Sequence, residues 1–286
     1  MANSYNIHSL IVISLKNILI YYILILIETG KELFMKSSRI MKIFEQYVRK
    51  YDMNNINIKA KYFHSLKVME IVKELANGLG IFSEEEVAVC EFIGLFHEIG
   101  SFSKTPNFHI DEDNDDSYEK TIDVLFNKGL IREISKDKSY DNIIKIALFS
   151  YDKIGFVSDI DEKSKHICAI LKDAHNLDCF RFFINYPYID TRIKSYPSNL
   201  VYSDFKNFKT INSKMSENSS DSVLIVLSKM YTFNYKYSYY LLKQNDYVKK
   251  IIDSLTFDSK EVENFFKQIV LVLNNYIDKR IGVTNA

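Results

Sequence analysis

The sequence predicts an all-α protein, and three observations carry that prediction. Only eight Gly and three Pro interrupt 286 residues, so long runs pass without a breaker. Apolar residues recur at helical steps, as in Leu66, Met69, Val72 and Leu75. No alternating strand series and no internal repeat is present. The length suits one large domain or two small ones, with ample core. Hydrophobic residues make up 47% and charged residues 26%, an ordinary globular balance. The 37 basic and 37 acidic residues cancel, which argues against strong attraction to nucleic acid or to an anionic lipid surface. Cys90, Cys168 and Cys179 form no close-spaced pair and read as reduced cytoplasmic thiols.

Residues 1–40 form an apolar extension. Its segment 10–27, LIVISLKNILIYYILILI, is about long enough to cross a bilayer. Lys16 interrupts it near the middle, at a cost of roughly 2.5–3.5 kcal/mol for insertion. No Lys or Arg precedes it, unlike a signal peptide, whereas Lys31, Lys36, Arg39 and Lys42 follow and would keep the remainder cytoplasmic. Two readings stand: a membrane anchor, or upstream sequence read in frame ahead of a start at Met35 or Met41. The second needs nothing upstream, because Met41-Lys42-Ile43-Phe44 opens an amphipathic helix by itself. Both place the chemistry in the cytoplasm.

The body begins with a short helix over Met41–Tyr51 and a longer one over Ile58–Gly80, closed by Gly78 and Gly80. Ser83-Glu84-Glu85-Glu86 reads as a capping box, with acidic groups at the positive end of the next helix. That helix runs to Phe96 and is apolar almost all round, so it should be the central buried one. Ser101–Ser117 reads as a polar connection holding Pro106 and the acid cluster Asp111, Glu112, Asp113, Asp115 and Asp116. Helices follow over Tyr118–Lys128, Tyr140–Tyr151 and Glu162–Phe183. Pro187 and Pro197 mark a linker, and the remainder holds at least two more helices, including Lys260–Ile277. The organisation expected is an extension over 1–40, a metal-binding helical domain over 41–186 and a helical part over 187–286 packed on it.

His64, the adjacent pair His97-Glu98, and Asp173 lie at or near the ends of these apolar stretches. Two ionisable groups inside Leu95-Phe96-His97-Glu98-Ile99-Gly100 cost free energy to bury unless something satisfies them, and a divalent cation would. A lone His near a helix face is usually a hydrogen-bonded structural residue, so His64 alone counts for little. Adjacent side chains such as His97 and Glu98 converge on one point only at a helix end, which makes the pair more telling. Asp173 stands among Ile170, Leu171 and Ala174, beside the face formed by Ile167, Ile170, Ala174 and Leu177. Imidazole nitrogen with carboxylate oxygen suits Mn, Fe, Zn or Mg.

The order His, His-acid, Asp resembles the HD-domain superfamily of metal-dependent phosphohydrolases, in a variant with HE in place of HD. Lys61-Tyr62-Phe63-His64-Ser65-Leu66-Lys67-Val68 is similar to that family's first histidine helix. Ile93-Gly94-Leu95-Phe96-His97-Glu98-Ile99-Gly100 is similar to its "LLHDIG" signature, and Lys172-Asp173-Ala174-His175-Asn176-Leu177-Asp178 to its "ADKLD"-type helix. The resemblance runs from about Met41 to Lys279. It implies an HD-domain-like helical bundle with a helical C-terminal extension, whose ligands are His64, His97, Glu98 and Asp173, with Glu98 and Asp173 also catalytic. It implies attack on phosphorus by water activated at the metal. Lys67 and Arg181 are the candidates to face a substrate phosphate, although a basic residue on a helix surface is usually just solvated.

Departures from the family pattern narrow this expectation. Glu98 is longer than the family's Asp by one carbon–carbon bond, ~1.5 Å. Ser117 stands where a "DHAE"-like run has His, Tyr151 where a "YHN"-like run has it, and Ser101 where a basic residue commonly follows the glycine. A second metal site is therefore lost or rebuilt. Asp152, Asp116 and His109 are partial substitutes that nothing in the sequence demands. The expectation is one divalent ion per chain and hydrolysis of a small, nucleotide-like phosphate ester, with no nucleic-acid partner and membrane contact only through residues 10–27. The alternative is a degenerate domain with weak or no catalysis that serves as a ligand-binding or regulatory module.

Overall fold

The structure, a computed structural model, describes residues 37–103, 115–151, 160–186 and 190–282. The apolar segment 10–27, His109, the side chains of the acid cluster 111–116, Asp152 and Pro187 lie outside these. Helix α1 (Ser37–Val48) buries Phe44, whose ring meets Phe96 edge-on at 5.4 Å and Phe102 at 6.1 Å. Helix α2 (Ile56–Leu79) starts where the Asn55 side chain accepts the backbone N–H groups of Asn57 and Ile58. It ends at Gly80, whose φ of 64° lets its N–H reach the Asn77 carbonyl. Gly80 alone is the stop; Gly78 lies inside the helix.

Helix α3 (Glu84–Phe96) opens on the predicted capping box, with both of its reciprocal bonds between Ser83 and Glu86 formed. Every residue from Val87 to Phe96 is buried, so α3 is the central helix the sequence describes. The chain then tightens into a 3₁₀ turn over Ile99–Ser103, in which Ser101 and Phe102 are buried. The start of the expected polar connection is thus part of the core, because Phe102 packs on Phe44 and Tyr51.

Gly100 permits this turn. A Cβ there would lie 2.3 Å from the Thr121 nitrogen and 2.4 Å from the Lys120 carbonyl carbon. Instead the Gly100 N–H donates to Thr121 Oγ1 at 3.2 Å, and the Thr121 hydroxyl donates to the His97 carbonyl at 3.4 Å. Thr121 sits in α4 (Asp115–Ile122), which continues as a π-helical turn over Asp123–Asn127 where one uninterrupted helix was expected. Helices α5 (Leu130–Ile134) and α6 (Asp141–Ser150) follow.

Helix α7 (Glu162–Asn185), capped by Asp161, is the second axis of the bundle. It is buried without interruption from Ile167 to Phe180, so it has no single apolar face. One side packs on α2, α3 and α6, the other on α10 (Lys236–Gln244) and α11 (Tyr247–Asp253). Helices α8 (Asn199–Lys206), α9 (Ser219–Ser228) and α12 (Lys260–Ile281) complete the C-terminal part. The stretch before Pro197 is anchored by strand β1 (Arg192–Ile193), which pairs in parallel with β2 (Thr256–Phe257). The fold is all-α, as the sequence predicts. Among the described residues no helix is long and apolar enough to cross a membrane.

Two glycines should respond in opposite directions to alanine. Gly100→Ala forces the turn off α4 and should cost at least ~1–3 kcal/mol in urea unfolding, as overpacking does. Gly78→Ala meets no atom within 4 Å in a solvated helix and should stabilise by ~0.5–1 kcal/mol. Equal effects at the two positions would contradict the close approach at Gly100.

Candidate metal centre

The end of α3, the middle of α2 and the middle of α7 meet at four side chains. His64, His97, Glu98 and His175 each offer one ligand atom, and these atoms all lie within 4.8 Å of one another. The three imidazoles are buried, and the Glu98 side chain is 15% exposed.

The backbone and a buried carboxylate fix which ring nitrogens face the centre. His64 Nδ1 lies 2.6 Å from Asp178 Oδ2, so that nitrogen carries the proton given to the carboxylate. His97 Nδ1 lies 2.8 Å from the Gly94 carbonyl, which can only accept. The two Nε2 atoms then point at each other across 3.1 Å. A proton or a cation shared between them satisfies both nitrogens. Burial pushes the His97 imidazolium down to about 3, with the neighbouring His64 and His175 adding to the shift against the pull of Glu98. His97 is therefore a neutral ring, ready to donate to a metal.

Glu98 supplies the only carboxylate of the cluster. Its Oε1 lies 3.8 Å from His175 Nε2 and 4.0 Å from His97 Nε2, which are ionic separations and not hydrogen bonds. Its Oε2 is buried with no hydrogen-bond partner. Leaving such an atom unpaired costs ~1–3 kcal/mol or more when charged. Donors ~2.1 Å from one ion stand ~3.0–3.4 Å apart, so the cluster fits a divalent ion after small side-chain movements. Burial alone would raise the Glu98 pKa, but the three imidazoles outweigh it and hold it well below the usual carboxylate range.

A second shell supports the first. Asp178 is fully buried and receives, besides His64, both Nε and Nη2 of Arg181, the latter at 2.8 Å. This arrangement orients the His64 ring and sets its tautomer. His175 Nδ1 stands 4.0 Å from Cys179 Sγ. Burial pulls the His175 imidazolium down, yet Cys179 and Glu98 beside it outweigh that and carry its pKa to about 10. Tyr151 closes one side, its ring edge-on to His97 at 5.2 Å and to His175 at 4.9 Å.

The structure thus brings together three of the four residues picked from the sequence, His64, His97 and Glu98. Asp173 is not among them. Its carboxylate accepts the Asn234 N–H at 3.0 Å, Asn234 Nδ2 at 2.8 Å, the Tyr235 N–H at 3.1 Å and the Ser238 hydroxyl at 2.6 Å. It ties α7 to the start of α10. The reason is helical phase. Asp173 and His175 are two residues apart, about 200° round the axis, so they face opposite sides. His166, Asp173 and Asn176 share the side turned to Thr232 and Tyr235, whereas His175, Asp178 and Cys179 share the side turned to His64. The run Asp173-Ala174-His175-Asn176-Leu177-Asp178 holds both sets, and the pairing of His175 with Asp178 at i,i+3 was the available signal. The two phosphate candidates are likewise occupied: Lys67 pairs with Glu70 at 2.8 Å on an exposed face, and Arg181 is held by Asp178.

The two carboxylate and imidazole sides of α7 can be separated by mutation. Asp173→Ala strips four donors of their acceptor and should destabilise the fold by ~3 kcal/mol while the folded protein keeps its metal uptake. His175→Ala should lower metal uptake with the smaller effect on stability. The pH dependence follows from His175: its proton, held up to about pH 10, must leave before Nε2 can bind an ion. Metal uptake should therefore release a proton and strengthen by ~tenfold per pH unit between about pH 6 and about pH 8. Calorimetry in buffers of different ionisation enthalpy reads this directly, and a pH-independent affinity would contradict it.

A family model described as HD domain matches residues 62–170. The match takes in His64 and the His97-Glu98 pair and ends just short of His175. Comparison with curated proteins and with solved structures returned no match.

Proposed function

We propose that this chain, which belongs to the HD-domain superfamily, holds one divalent ion with His64, His97, Glu98 and His175 and hydrolyses a small, nucleotide-like phosphate ester. The observation that carries this reading is the buried pair of facing Nε2 atoms beside an orphaned carboxylate oxygen, a donor set that suits a cation. When bound, a divalent ion supplies Lewis acidity toward a phosphoryl oxygen and acidifies a water.

The chain's own residues supply the rest. Asp178 and the Gly94 carbonyl fix the two rings, so no tautomer has to change when substrate arrives. Glu98 holds charge opposite the imidazoles, and its second oxygen has no hydrogen-bond partner of its own. Asp173 positions α7 from behind and takes no proton in this scheme. The zero net charge fits a small substrate better than a long polyanion. The three free cysteines, all buried, fit a reducing compartment such as the cytoplasm.

A regulatory module with weak or no turnover is the second reading, and Tyr151 favours it. This ring occupies the position where a further histidine ligand would stand and packs against His97 and His175. Metal-loaded full-length protein, assayed on phosphomonoesters, phosphodiesters and mononucleotides, decides between the two. Turnover of at least one class is expected, with loss in His97→Ala and a ~10–100-fold loss of metal affinity in Asp178→Asn. A fully loaded protein inert on every class would sink the hydrolase and leave the module.

A further inference from the structure

The cluster departs from a mixed carboxylate site in one respect: three of its four donors are imidazole nitrogens. Imidazole suits Zn, Fe, Co, Ni and Cu, whereas Mg²⁺ is held by carboxylate, carbonyl and water oxygens. The third imidazole is His175. It is buried, and its ring stands 5.3 Å from that of His64 and 5.5 Å from that of His97, roughly perpendicular to both. Glu98 is the only carboxylate within the four, and the neighbouring Asp178 is engaged by His64 and Arg181. Asp173, two residues away, faces Asn234 and Ser238. Among the described residues no second carboxylate is left to build an oxygen-rich shell.

We infer that this site takes a nitrogen-preferring transition ion of the Zn²⁺, Fe²⁺ or Co²⁺ class and excludes Mg²⁺, and that His175 is the residue that sets this choice. The inference rests on the reading that the cluster holds a metal, and it narrows that reading to a class of ion. Glu98 alone does not offset the dehydration of Mg²⁺, which parts with its waters reluctantly. Three preset nitrogens favour the softer ions without that demand.

The test uses full-length protein stripped with chelator and reloaded with Co²⁺, whose bound form absorbs in the visible. In the wild type, Mg²⁺ at ~1,000-fold excess over Co²⁺ should leave the spectrum unchanged. In His175→Asp, which exchanges one imidazole for a second carboxylate, the same Mg²⁺ should remove half or more of the signal. Elemental analysis of the dialysed proteins reports the same exchange independently and needs no folded variant for its wild-type arm. Displacement of Co²⁺ by Mg²⁺ in the wild type overturns the inference, and so does a His175→Asp protein that resists Mg²⁺ as the wild type does. A stripped protein that takes up no Co²⁺ at all overturns the metal reading itself, a different outcome from loss of selectivity.

Discussion

Two imidazole nitrogens held 3.1 Å apart in a buried interior are the constraint on which the rest of the site depends. Neither ring is free to turn away. Asp178 holds His64 by its far nitrogen, and the Gly94 carbonyl holds His97 by its own. The fold therefore keeps two ring nitrogens facing each other, with Glu98 alongside and one of its oxygens unpaired. Burying these groups costs free energy, which a bound cation would offset.

The bundle reads as the means of holding that constraint. Helix α3 is buried along its whole length after the first turn, so its C-terminal end cannot shift without disturbing the core. Gly100 lets the chain turn tightly against α4 directly after the His97-Glu98 pair, and Thr121 bridges the two. Helix α7 is gripped from both sides: Asp178 and His175 face the centre, while Asp173 is locked to the start of α10. The C-terminal helices thus take part in placing α7, the helix that carries His175.

Much of this was legible in the sequence, for identifiable reasons. The helical class followed from the scarcity of breakers, α3 from its capping box and unrelieved apolarity, and the His64, His97 and Glu98 group from ionisable residues in apolar runs. Two things were not legible. Phe102 looked like the start of a polar connection, because only the Gly100 turn shows that it folds back onto Phe44. Asp173 was placed on α7 by the face of Ile167, Ile170, Ala174 and Leu177, but the helix is buried all round, so that face does not mark the side turned to His64, which His175 takes. A shift of two residues there moves a side chain to the opposite side of the helix. Lys67 and Arg181 looked available for phosphate because their partners, Glu70 and Asp178, lie one turn away and cannot be ranked without side-chain positions.

The most direct test of this account is anomalous diffraction from crystals of the full-length protein loaded with Zn²⁺. The account predicts one strong anomalous peak per chain, within bonding distance of Nε2 of His64, His97 and His175 and of a Glu98 carboxylate oxygen. A peak bound instead by Asp173, or a loaded crystal with no peak among these four side chains, would contradict it.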